Sequence, residues 1–119
     1  MIRKFDSLDH LGLTVSNVRR SYEFYRDFVG LREGSFDDEF GEVWAGATII
    51  GLLKGEPGAG PVHFGFREPT RANVDAWAEK ALAAGVRVSF GPARADWGAY
   101  EVILHDPDGY EIQIWSDER

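Results

Sequence analysis

The run His10-Leu11-Gly12-Leu13 returns 53 positions later as His63-Phe64-Gly65-Phe66, in a chain of 119 residues. A repeat spaced by nearly half the chain restricts the fold to two copies of one structural unit. Each copy alternates in period two, the pattern of a strand with one buried face. In the first, Leu11, Leu13 and Val15 take one side, and Leu8, His10 and Gly12 the other. Each copy is then followed by a helical pattern. Ser16-Asn17 offers an N-cap pair before Val18, Tyr22, Tyr25, Phe28 and Val29, and Gly30 is placed for a left-handed C-terminal cap. Pro69-Thr70 opens the second pattern, with Val74, Trp77, Ala78, Ala81 and Leu82 as its apolar face and Gly85 as its end. The spacing predicts helices over 17–29 and 71–84.

Three short β-like stretches complete each half. They are Leu31–Phe36, Glu42–Gly46 and Thr48–Leu53, then Val86–Phe90, Tyr100–His105 and Tyr110–Trp115. Lys54-Gly55-Glu56-Pro57-Gly58-Ala59-Gly60-Pro61 breaks every periodicity and reads as a linker over 54–61. Repeat one is expected at about 5–55 and repeat two at about 62–116. One helix covers only one face of a sheet, so the halves are expected to share a fold, with 1–119 forming a single module. The expected class is α+β: tandem β-α-β-β-β units of mixed sheet flanked by two helices.

Charge and composition narrow the function. A net charge of −7 opposes binding to nucleic-acid phosphates or anionic membranes. No apolar run approaches the ~20 residues of a bilayer span. Basic residues near the start have no apolar stretch behind them, so no signal peptide is read there. The chain has no cysteine, which removes disulfide and thiolate chemistry. Together these set a cytoplasmic protein as the expectation.

The stretch DHLGLTVSNVRRSYEFYRDFVGL resembles the opening signature of the glyoxalase, bleomycin-resistance and extradiol-dioxygenase (vicinal oxygen chelate) superfamily. LHDPDGYEIQIW is similar to its closing signature, a turn leading into the last strand. The resemblance implies a cup enclosed by two sheets and a divalent metal ion (Fe, Mn, Zn or Ni). It implies His10, His63 and Gln113 as ligands. Gln113 stands four residues past Gly109, where the family usually has Glu, and the fourth position falls on or near Gly51, which has no donor side chain. Two imidazoles and one oxygen donor with open positions resemble non-haem iron sites. A neutral Gln leaves the ion its full charge, which weakens binding and favours an anionic or chelating oxygen substrate.

Strand parity adds further candidates. Glu111 shares the parity of Gln113 and reads as a rim carboxylate, with a substitute ligand or a solvated charge as alternatives. Glu101 opposes Val102 and Leu104, so it faces the cup as a candidate general base. Trp44 and Trp115 are placed to stack on a flat substrate. His105 is expected to be exposed, Trp97 to belong to the core or a dimer interface, and Asp37-Asp38-Glu39 to form a solvated loop. Asp106-Pro107-Asp108-Gly109 is a turn with no catalytic role of its own. Two functions follow. One is a metal-dependent enzyme with dioxygenase- or lyase-type chemistry on a small oxygen-rich substrate. The alternative is a non-catalytic protein that binds a small molecule such as an antibiotic. The resemblance also favours a homodimer.

Overall fold

The structure is a computed structural model that describes residues 2–60 and 62–119; Met1 and the last linker residue, Pro61, lie outside the described residues. In chain order the first half carries β1 (His10–Val15), α1 (Val18–Glu23), a π-helical segment (Phe24–Val29), β2 (Arg32–Phe36), β3 (Phe40–Ala45) and β4 (Thr48–Lys54). The second carries β5 (His63–Arg67), α2 (Arg71–Ala84), β6 (Val88–Arg94), β7 (Tyr100–His105) and β8 (Glu111–Ser116). The chain divides into two compact units, residues 1–58 and 59–119, at a point inside the expected linker.

In the first unit the sheet order is β1-β4-β3-β2, with β1 parallel to β4 and the other pairs antiparallel. The second repeats it as β5-β8-β7-β6, with β5 parallel to β8. The βαβββ reading of the fold holds. Each helix packs on the sheet of its own unit: α1 against β2, β3 and β4, and α2 against β6, β7 and β8. Beneath α1 the buried residues include Leu13, Val15, Val43, Ile50 and Leu52; beneath α2 they include Val102, Leu104, Ile112 and Ile114. All have the parity opposite to the histidines, so each sheet turns its His-bearing face away from its helix.

Both helix starts form as the caps require. Asn17 Oδ1 accepts the Arg20 N–H at 3.0 Å, and Thr70 Oγ1 accepts the Asn73 N–H at 3.1 Å. Gly30 and Gly85 close the two helical segments with φ of 86° and 70°.

Three details depart from the sequence reading. Helix 17–29 does not stay α-helical: from Phe24 the backbone takes the wider π winding. A residue four positions on lies near the same face in either winding, so apolar spacing alone does not separate the two. The wider turns accompany a cluster in which Phe24 stacks on Phe28 at 5.2 Å and meets Tyr25 edge-on at 5.1 Å. Leu82 is 82% exposed rather than part of the α2 core face. At about 100° per residue it lies roughly 80° round from Val74, at the margin of the buried stripe. Finally, the sixth strand runs to Arg94, beyond the expected end at Phe90.

Candidate functional site

The register of the second sheet lays its polar residues out in rows. His63 pairs with Glu111, which pairs with His105; Gly65 pairs with Gln113, which pairs with Ile103; Arg67 pairs with Trp115, which pairs with Glu101. Directly paired residues share a face, so these rows form the surface opposite α2. A pocket of about 220 Å³ opens there, lined by His63, Glu101, Ile103, Glu111 and Gln113. Four of the candidate residues therefore meet in one place, drawn from three adjacent strands.

Glu101 is 5% exposed, and a carboxylate so placed must have partners. It has two. Gln113 Nε2 donates to Oε2 at 2.7 Å, and the Trp97 indole N–H donates to Oε1 at 3.1 Å. The first contact also fixes the Gln113 amide. Its NH2 faces the carboxylate, so its carbonyl oxygen turns toward β5. The glycine there matters. A Cβ on Gly65 would lie 3.2 Å from Gln113 Oε1 and 3.0 Å from the Gln113 carbonyl oxygen. With no side chain, Gly65 leaves the space that the amide fills.

The first unit carries the matching layout in its own sheet. His10 pairs with Ile49, which pairs with Trp44; Gly12 pairs with Gly51, which pairs with Glu42. His10 thus occupies the position in its sheet that His63 occupies in the other, and Gly51 the position of Gln113. The His10 side chain is 69% exposed, and its Nδ1 lies 2.8 Å from Asp9 Oδ2. A carboxylate on one ring nitrogen orients the imidazole and leaves Nε2 as the outward atom. Around Gly51 the nearest atoms to where a Cβ would be are a Phe40 carbon at 3.6 Å, the Leu11 carbonyl oxygen at 3.8 Å and a Leu53 carbon at 3.9 Å. None of these three atoms is a side-chain donor. Trp44 lies under the Arg32 guanidinium, 4.8 Å from its ring centre.

Donor chemistry decides how well a divalent ion suits these residues. Among the described residues, no three His, Cys, Asp or Glu side chains are grouped to hold an ion. The second unit instead offers one imidazole, His63, an amide oxygen held in place by Glu101, and the Glu111 carboxylate in the same pocket. Nitrogen and oxygen donors of this kind suit a borderline divalent ion such as Zn or Fe. The set fits, with Gln113 Oε1 rather than a carboxylate as the oriented oxygen.

Sequence reading missed one participant and misjudged the burial of a histidine on the same sheet face. Trp97, expected in the core or at an interface, is 58% exposed and anchors Glu101. It sits in a loop, where no periodicity reports direction. His105, expected to be exposed, is half-buried; its Nδ1 lies 3.2 Å from the Gly109 carbonyl oxygen, while Nε2 is sealed from solvent with no hydrogen-bond partner among the described residues. Its alternation with Ile103 and Glu101 was the signal that placed it on the sheet face.

Comparison with known proteins agrees with the fold. A family model described as the glyoxalase/bleomycin resistance protein/dioxygenase superfamily matches residues 7–114. Virulence protein STM3117 of Salmonella typhimurium is 30% identical over 123 residues, covering 92% of this chain and 83% of that protein. Its crystal structure superposes with a TM-score of 0.77 at 26% identity, over 96% of this chain and 98% of the other. Catechol-2,3-dioxygenase of Bacillus subtilis is 26% identical over 121 residues; the alignment covers 91% of this chain but only 41% of that longer protein. Lactoylglutathione lyase from Agrobacterium tumefaciens shares the fold, with a TM-score of 0.79 at 20% identity over 96% of both chains.

Proposed function

Because the chain belongs to the glyoxalase/bleomycin resistance protein/dioxygenase superfamily, we propose that it is a metal-dependent enzyme acting on a small oxygen-rich substrate, with dioxygenase- or lyase-type chemistry. One observation carries this reading: His63, Gln113, Glu111 and Glu101 share a single pocket in which the Gln113 amide is oriented by Glu101. In the second unit the metal ligands of the proposal are His63 and Gln113; His10, at the matching position of the first repeat, is the further ligand that the family resemblance implies. A bound divalent ion would supply Lewis-acid polarisation of a chelating substrate oxygen. The protein's own groups do the rest. Glu111 at the pocket rim meets the polar end of the substrate, and Trp115 offers a flat surface to its body; Trp44 is the candidate for stacking in the first unit. Glu101 accepts a proton from the substrate. Each of its oxygens already receives one N–H, and each keeps a further lone pair for this task.

The second reading is a binding protein without turnover. The two hydrogen bonds that occupy Glu101 favour it, because they give that carboxylate a structural task independent of chemistry.

Metal content of protein purified without chelator, followed by calorimetric titration with Fe, Mn, Zn and Ni, tests the proposal. We expect one ion per chain, lost in His63→Ala. Catechol-type diols and hydroxy acids are then assayed as substrates. Glu101→Gln should lower kcat by about 10²–10⁴-fold, the usual contribution of a general acid or base. A protein that takes up none of these ions is not this enzyme. One that takes up an ion and turns over equally well after Glu101→Gln has its base elsewhere.

A further inference from the structure

A second cavity, of about 350 Å³, opens on the same unit beside Glu101 and is lined by Arg94, Trp97, Ala99, Trp115, Asp117 and Arg119 among others. We propose that it is a binding subsite for a flat aromatic carboxylate. The inference rests on the metal-enzyme reading for its chemistry, which it deepens by giving the substrate a class, but not for its binding.

Two indoles form the apolar wall. The rings of Trp97 and Trp115 stand 5.3 Å apart at 60°, an open corner rather than a closed stack. A third ring lying in such a corner gains face and edge contacts at once. Trp97 is 58% exposed, a large apolar surface left to solvent, yet its indole N–H is tied to Glu101. Its ring is therefore held in position before any ligand arrives, which lowers the ordering cost of binding.

Charge sets the other half of the specificity. Asp117 pairs with the Arg67 guanidinium, which itself lies over the Trp115 ring at 5.0 Å. With that acid paired, the cationic groups at the cavity are Arg94 and Arg119, on a chain whose net charge is −7. Arg94 Nη1 donates to the Gly98 carbonyl oxygen at 2.6 Å, which orients the guanidinium. A guanidinium has five N–H donors, and the others suit the two oxygens of a carboxylate. Aromatic wall and oriented arginine together select a ring that bears an anion. The register places the corner next to the metal-donor rows, since Trp115 pairs with Glu101 on the strand that also carries Gln113.

Benzoate is the probe, followed by the indole N–H resonances of the four tryptophans in ¹H–¹⁵N NMR titrations. The Trp97 and Trp115 resonances should move and saturate, while Trp44 and Trp77 stay put. Trp97→Ala and Arg94→Gln should each weaken binding by about tenfold or more, as should replacing benzoate with benzyl alcohol or with cyclohexanecarboxylate. Chelator-treated protein should bind benzoate as the untreated protein does, so the subsite stands even if the protein proves to bind no metal. The proposal is overturned if benzyl alcohol binds as tightly as benzoate, if Trp97→Ala and Arg94→Gln leave affinity intact, or if neither cavity indole responds.

Discussion

The contact between Gln113 Nε2 and Glu101 Oε2, at 2.7 Å, gives one neutral side chain a consequence for both metal binding and stability. An amide can donate to its carboxylate neighbour; a second carboxylate cannot. Gln113→Glu would set two acids against each other where Glu101 is only 5% exposed. Loss of a hydrogen bond to a charged group costs about 1.5–3 kcal/mol, so the metal-free variant should melt below the parent. A divalent ion reverses the sign. It gains a charged ligand and screens the repulsion, so the variant should bind metal more tightly and recover its melting temperature on saturation. Calorimetry with and without Zn reads both effects. Unchanged metal affinity, alongside its loss in His10→Ala, would remove Gln113 from the ligand set.

Among the elements, the β2–β3 hairpin shows how an acidic run acquires a structural task. Asp37 Oδ1 accepts the backbone N–H groups of Glu39 and Phe40 at 2.8 and 2.9 Å, a side-chain-closed turn. These bonds hold the Asp37 carboxyl below its ordinary value of 3.8. A depressed folded value means the stabilisation is present above about 3.8 and disappears as pH falls through the lower folded value. Asp37→Ala should therefore lower the urea midpoint at pH 7, and the gap between variant and parent should close at strongly acid pH. A gap that persists at low pH would point to lost packing instead. The run was read as a solvated loop, and its side chains are exposed; what the pattern hid was the pair of backbone donors, which become neighbours only once the turn closes.

At the scale of the molecule, each unit exposes on the face of its sheet away from its helix a histidine at the same register position, His10 beside Ile49 and His63 beside Glu111. Among the described residues, no helix is long and apolar enough to cross a membrane. We propose that the chain works as a homodimer, the assembly its family resemblance favours. Light scattering coupled to gel filtration should then return twice the chain mass of 13.3 kDa, and a single-chain mass across the working concentration range would exclude it.

Period-two alternation, helix caps and the His-x-Gly repeat were enough to determine the eight strands among the described residues, both helix starts, and the faces on which His10, His63, Glu101, Glu111 and Gln113 lie. All of these depend on the direction of a side chain relative to its own backbone, which local sequence encodes. Tertiary structure decided the rest. That Gly65 makes room for the Gln113 amide depends on the register between β5 and β8, residues 48 positions apart. That Trp97 holds Glu101 depends on the path of a loop with no period. The π winding after Glu23 and the exposure of Leu82 turn on how neighbouring rings and the sheet meet the helix. In the strands, alternation encodes which way a residue faces; the partner it finds there is set by long-range contacts that no local pattern carries.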